Sequence, residues 1–359
     1  MELVAISAIF LIVLALAFEF VNGFHDTANA CSTVIYSGAL SPRWAILNSA
    51  VFNFIGAATA GTGVALFVTK IVKIGAVSMP MLAAVLVAGL VWNICTWYKG
   101  LPVSSSHCMI GSLVGAGLAS AGIAGVNFHK LNEALVALVV SPVVGFVLAL
   151  AIAFLFAKVV SRRSTGPALA AVDAADAVDA GDAVDETEKK HRLFFRCLQI
   201  GSSTAVSFSH GSNDGQKTMG LITLILATQF ASHGYTMTHV PFWVIIAAAA
   251  TMGLGTAIGG GRIIKTVGEH LSFRKITSID GCAAEFTTAA TVFAASRFGV
   301  PVSTTHVLSS AVGGSTAGLH GTKAINVQTY KKILLAWVLT FPITIGLGYG
   351  LCFLFKLIF

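Results

Sequence analysis

The sequence predicts an all-α polytopic membrane protein made of two inverted-topology repeats, and three observations carry that prediction. Hydrophobic residues make up 56% of the 359-residue chain and charged residues only 10%, with a mean hydropathy of +0.85, whereas a water-soluble domain carries about 25% charged residues. Apolar runs of ~18 residues or more recur along nearly the whole chain, and no ten-residue alternating strand pattern accompanies them. Two kinds of polar interruption each occur once per half. Asn22–Ala30 reads N-G-F-H-D-T-A-N-A and His210–Thr218 reads H-G-S-N-D-G-Q-K-T; later come Pro102-Val103-Ser104-Ser105-Ser106-His107 and Pro301-Val302-Ser303-Thr304-Thr305-His306.

Each half follows one order. The first contains an apolar segment Leu3–Val21, the interruption at Asp26, and a continuation towards Tyr36. Spans near Trp44–Val68 and Met81–Trp97 follow, then the Pro-Val-Ser tip, a small-residue helix His107–Ala124 and a span Leu131–Ala157. The second runs through Leu198–Phe208, the interruption at Asp214, Leu221–Phe230, spans near Phe242–Ile258 and Ile279–Ala295, the second tip, a small-residue helix to Gly318 and Ile333–Phe359. Asp26 and Asp214 are 188 positions apart, and Ser104 and Ser303 are 199 apart, as expected of a duplicated unit. The domain boundaries are therefore set at 1–160 for the first repeat, 161–192 for a linker and 193–359 for the second repeat. With seven acidic residues between Asp173 and Glu188, the linker reads as a solvated acidic segment. The apolar N-terminal stretch lacks a basic leader region and is expected to be a membrane helix rather than a cleaved signal.

Basic residues set the orientation. With the linker in the cytoplasm, Arg43, the Lys158–Arg196 group, Arg262, Lys265, Arg274, Lys275, Lys323, Lys331 and Lys332 all fall inside, against Lys70, Lys73, Lys130 and Lys356 outside. The positive-inside rule then places both termini outside, with an odd number of crossings per half. Each tip reads equally well as a re-entrant hairpin or as a junction of two full spans; Lys99 and Arg297, just before the tips, favour water access there. The net charge of +7 is spread over short loops, which excludes a nucleic-acid patch. Six cysteines without C-x-x-C or ligand spacing predict neither a disulfide framework nor a metal centre of the protein's own.

The tips carry the first piece of chemistry. Proline followed by Ser/Thr marks a helix start. Three hydroxyls beside unpaired N–H groups and the positive end of a helix form an anion site without arginine. Two such copies facing each other could surround a tetrahedral oxyanion with Ser104, Ser105, Ser106, Ser303, Thr304 and Thr305. The plain structural alternative is close helix packing by small residues. An intramembrane carboxylate is a functional-site hypothesis by default, and Asp26 and Asp214 select among anions. Phosphate retains a proton near neutral pH that an ionised carboxylate can accept, whereas sulfate would leave that carboxylate unpaired and repelled. The same aspartates, with Asn29 and Asn213, can hold a cation or proton that offsets the anion's charge. For proton or cation coupling the candidates are His25, Asp26, Asp214 and the isolated Glu285; Glu19 falls near the first interruption, and Lys217 can balance Asp214.

These four motifs, in this order and over nearly the whole chain, resemble the inorganic phosphate transporter (Pit) family, and most of all its bacterial low-affinity branch. The resemblance implies secondary transport of inorganic phosphate across the cell (cytoplasmic) membrane. Its implied substrate ligands are Ser104, Ser105, Ser106, Ser303, Thr304, Thr305, Asp26, Asn29, Asn213 and Asp214. It further implies proton symport of a neutral divalent metal–phosphate complex, magnesium being one such metal. Other branches use sodium and often carry Asn where this chain has His25. The implied partners are phosphate, a coupling cation and the lipid bilayer, with a homodimer left open. The chain departs from some relatives in lacking a long loop between Phe230 and Pro241 and in its short acidic linker.

Two readings of other classes compete. An intramembrane serine hydrolase would use Ser105 or Ser106 with His107 or His306, but adjacent Ser and His on one turn point apart and no G-x-S-x-G accompanies them. An anion channel would suit the glycine-rich helices, but paired hydroxyl clusters suit a binding site better than a pore. The chain is not expected to be an enzyme.

Overall fold

The computed structural model describes residues 2–161 and 186–357. The greater part of the expected acidic linker, at 162–185, lies outside the described residues. Among the described residues every regular element is helical. The first half comprises α1 (Glu2–Asp26), α2 (Ala28–Tyr36), α3 (Pro42–Thr59), α4 (Gly63–Val68), α5 (Met79–Tyr98), α6 (Ser105–Ala121) and α7 (Phe128–Ser161). The second comprises α8 (Glu186–His210), a π-helical turn (Gly211–Gly215), α9 (Gln216–Gln229), α10 (Phe242–Ile258), α11 (Gly261–Glu269), α12 (Ser278–Arg297), α13 (Thr304–His320) and α14 (Val327–Lys356). Helix α8 begins inside the stretch assigned to the linker.

The elements correspond one for one between the halves, and so does their packing. Helix α6 packs on α14 as α13 packs on α7; α1 lies on α10 as α8 lies on α3; α9 meets α4 as α2 meets α11. Even the isolated bridges repeat, Val72 with Val126 and Ser272 with Ile325. Each half therefore completes its core with helices of the other. Five helical stretches among the described residues are long and apolar enough to cross a membrane. Their outer faces, with Val139, Val143 and Phe154 on α7 and Leu334, Leu335 and Val338 on α14, remain exposed, as lipid contact requires and water would penalise.

The polar interruptions are gentler than an unwound helix. Thr27 alone separates α1 from α2 and keeps helical angles (φ −51°, ψ −34°), with its hydroxyl donating to the Gly23 carbonyl at 2.8 Å. The second interruption widens into a π-turn that joins α8 to α9, a device that turns side chains inward without ending the helix. The apolar run Trp44–Val68, expected as one span, divides at Ala60–Thr62 into α3 and α4. Its counterpart bends by 70° between α10 and α11.

The tip helices approach the terminal helices backbone to backbone. A Cβ on Gly115 would fall on the Ile345 carbonyl, and one on Gly314 on the Phe146 carbonyl, and the two contacts are repeat mates. Close crossings of this kind supply dispersion contacts where lipid offers no hydrophobic drive. Gly115→Ala and Gly314→Ala are each expected to destabilise the protein by about 1–3 kcal/mol through overpacking, read as a lowered melting temperature in detergent.

Candidate functional site

Each tip places its hydroxyls by the way its helix starts. Ser104 caps α6 by accepting from His107 N at 3.1 Å, and Ser303 caps α13 by accepting from His306 N at 3.2 Å. The turns before them reverse at Gly100 (φ 65°) and Gly299 (φ 67°), a conformation glycine adopts without Cβ strain. With the third N–H of each helix capped, those of Ser105, Ser106, Thr304 and Thr305 have no intrahelical acceptor. The following hydroxyls then point at the interruptions.

Ser105 joins the two halves. Its hydroxyl lies 3.0 Å from Asp26 Oδ2 and 3.2 Å from Asp214 Oδ2, within donating distance of both. From the other tip, Thr305 donates to Asp26 Oδ1 at 3.4 Å and Thr304 to Asp214 Oδ1 at 3.5 Å. Both carboxylates are almost fully buried. His25 lies 2.8 Å from Asp26 Oδ1 through Nδ1 and 3.3 Å from the Thr96 hydroxyl through Nε2. Lys217 Nζ sits 2.7 Å from Asp214 Oδ2 and donates to the Ser106 hydroxyl, which in turn donates to the Val302 carbonyl at 2.7 Å. Asn29 donates to the Thr305 hydroxyl at 3.0 Å.

Asn213 is placed differently from Asn29. It donates to Ser296 Oγ and the Val300 carbonyl, each at 3.1 Å, and accepts from Val302 N at 3.2 Å. It therefore braces the second tip from behind. Ser104 and Ser303 are likewise engaged at the helix starts, leaving Ser105, Thr304 and Thr305 as the hydroxyls on the carboxylates.

The structure adds His210, which the sequence reading passed over. Its Nδ1 lies 3.0 Å from Asn53 Oδ1, and its buried Nε2 stands 3.7 Å from Asp26 Oδ2 and 3.6 Å from Asp214 Oδ2. One donor atom from each of Asp26, His210 and Asp214 lies within 4.8 Å of the others, a set able to hold a divalent cation. Its place inside the H-G-S-N-D motif was the available signal.

Glu285 lies in a separate cluster. It accepts from Thr33 and Ser202 hydroxyls, each at 2.5 Å, and from Gln199 Nε2 at 3.3 Å. The repeat-equivalent positions of Glu285, Thr33, Ser202 and Gln199 are Leu86, Leu221, Leu14 and Leu11, members of or packed against the main apolar core. The carboxylate site thus exists on one side of the repeat only. Glu19, also buried, accepts from the Thr218 hydroxyl at 2.5 Å, one residue beyond Lys217.

His107 and His306 turn away from the carboxylates. Their rings lie tilted against each other with centroids 4.6 Å apart, and His306 stacks on Trp337 at 3.8 Å. The hydroxyls of Ser105 and Ser106 go to the aspartates and to Val302, so neither serine is hydrogen-bonded to a histidine. The geometry is that of a membrane carrier's enclosed polar site, made where two repeats meet.

The comparisons agree with that class. Residues 22–348 match the Phosphate transporter family, and the chain belongs to that family, whose members are transporters rather than enzymes. It is 41% identical over 363 residues to the "Probable low-affinity inorganic phosphate transporter" of Bacillus subtilis (strain 168), with all of each chain covered. It is 38% identical over 335 residues to the protein of the same description in Rhizobium meliloti (strain 1021), covering 92% of this chain and 91% of that one. The "Low-affinity inorganic phosphate transporter PitB" of Escherichia coli (strain K12) is 28% identical over 485 residues, covering 95% and 96%. Among solved structures, "The sodium-dependent phosphate transporter" superposes with a TM-score of 0.81 at 26% identity, covering 98% of this chain and 100% of that one. The resemblance read from the four motifs is borne out, and the chain is a multi-pass protein of the cell membrane.

Asn213→Ala is expected to cost about 1–3 kcal/mol, because it leaves the buried Val302 N–H without its acceptor. Thermal unfolding of the purified variant checks this, with the wild-type protein as reference.

Proposed function

We propose that this chain is a secondary transporter that imports inorganic phosphate by cation symport with alternating access. The proton is the coupling ion, and the phosphate travels as a neutral complex with a divalent metal. The observation that carries the reading is the convergence of both tips on the Asp26–Asp214 pair, with Ser105 in contact with the two carboxylates. A hydrogen phosphate between the tips takes hydrogen bonds from Ser105, Thr304, Thr305 and the free N–H groups of α6 and α13, and offers its own P–OH to a carboxylate. Sulfate has no proton to offer, so the same carboxylates repel it. Asp26, His210 and Asp214 supply a donor set for the metal that accompanies phosphate.

Proton coupling is supported by the His25–Asp26 contact at 2.8 Å and by Glu285 with its three partners. The symmetric packing of the halves and the basic-residue bias support inverted repeats with both termini outside. A second reading keeps the site and changes the ion: sodium, which the similar solved structure carries in its description, suits the same oxygens.

Labelled-phosphate uptake into proteoliposomes separates these readings. Uptake is expected to follow an imposed proton gradient and to rise with external magnesium; uptake driven only by sodium would overturn the coupling assignment, and no uptake under either gradient would overturn the phosphate reading. Asp26→Asn and Asp214→Asn are each expected to abolish uptake in protein that remains folded and inserted, because each removes a buried acceptor. Glu285→Gln is expected to retain phosphate binding, measured by calorimetry, while losing gradient-driven uptake.

A further inference from the structure

The two interruptions offer matching residues to the opposite tips, with one difference that carries charge. Asn29, three residues after Asp26, donates to the Thr305 hydroxyl at 3.0 Å. Lys217, three residues after Asp214, donates to the Ser106 hydroxyl. Ser106 holds in the first tip the place that Thr305 holds in the second. The same contact is therefore made twice, once by a neutral amide and once by an ammonium.

An amide at position 217 would satisfy the tip hydroxyl, as Asn29 does in its own half. The brace alone does not account for a charged side chain that is only 1% exposed and heads the fully buried side chains by volume. Burying an ammonium is costly unless it meets an opposite charge, and this one meets Asp214 Oδ2 at 2.7 Å. The groups facing Asp26 include no ammonium. They are His25 Nδ1 at 2.8 Å, His210 Nε2 at 3.7 Å, and the hydroxyls of Ser105 and Thr305 at 3.0 and 3.4 Å. Of these, His210 and Ser105 also face Asp214, at 3.6 and 3.2 Å. Asp214 thus holds an ammonium fixed to the protein, whereas Asp26 meets imidazoles and hydroxyls.

We propose that Lys217 is a tethered counter-cation. Resting on the symport reading above, the proposal is that its ammonium takes on the Asp214 side the place a mobile coupling cation would fill. Only the Asp26 side then binds and releases a coupling cation during each cycle. Replacing Lys217 by the residue the first half uses should vacate the second cation position and create a demand for a mobile ion that the native protein lacks.

The test is calorimetric titration of inorganic phosphate into purified wild-type protein and Lys217→Asn, at one pH, in choline chloride and in sodium chloride. Wild type is expected to bind equally in both salts. Lys217→Asn is expected to bind about tenfold more weakly in choline, equivalent to ~1.4 kcal/mol, and to recover in sodium. Undiminished binding of Lys217→Asn in choline, or equal weakening in both salts, would overturn the proposal. Wild-type protein that binds phosphate in neither salt would overturn the phosphate reading itself, a result distinct from those two. Should Lys217→Asn fail to fold, Asn29→Lys tests the same idea from the other side by tethering a second cation beside Asp26. Its phosphate uptake into proteoliposomes is expected to lose all dependence on proton and sodium gradients; retained gradient dependence would overturn the proposal.

Discussion

Two carboxylates in one buried site set the terms for the rest of this structure. Donor atoms of Asp26 and Asp214 lie within 4.8 Å of each other, a separation at which like charges repel by about 3 kcal/mol at an effective dielectric of ~20. Nothing in a membrane interior screens that repulsion. The surrounding groups answer it with donors from both tips, two imidazoles and one ammonium. Those donors come from α1, α6, α8, α9 and α13, so the elements that deliver them must hold their places together. The capped tip starts and the nearly continuous interruptions serve that requirement, because each aims side chains inward without freeing a long stretch of backbone.

Duplication explains the architecture, and departures from it locate the chemistry. Packing partners exchange cleanly between halves, yet the residues at matching positions around the site do not. Asn22 stands opposite His210, His25 opposite Asn213, and Asn29 opposite Lys217. Beyond the centre, every member of the Glu285 cluster has a leucine at its repeat-equivalent position. The frame is symmetric and the lining of the polar site is not.

Much of this was legible before any coordinates. The two Asp motifs and the two Pro-Val-Ser tips are polar words in an apolar text, and their cost in a membrane makes them readable. The convergence of Ser105, Thr304 and Thr305 on the aspartates follows from the duplicated order of those words. What was not legible depends on side-chain direction. Asn213 lies beside Asp214 in sequence but turns behind the tip, and Ser104 and Ser303 face their own helix ends. His107 and His306 follow the tips in sequence yet pack against each other, because at the third helical position a side chain has already rotated away from the site. The partners of Glu285 come from α2 and α8, so periodicity in α12 could not name them. The bend between α10 and α11 was missed because Gly259 and Gly260 end an apolar run without saying in which direction the chain resumes.

The exchange of packing partners also bears on how the protein is made. Helix α6 finds its backbone-to-backbone seat on α14, which emerges from the ribosome after every other described helix, while α7 must wait for α13. The first tip is therefore synthesised long before the surface that holds it exists. For the first part of that interval, until the second interruption is made, the hydroxyls of Ser105 and Ser106 have neither Lys217 nor Asp214 to meet. Assembly of the buried polar site is consequently a late event in biogenesis, completed from the C-terminal end, and the early helices reach the bilayer as an unfinished half.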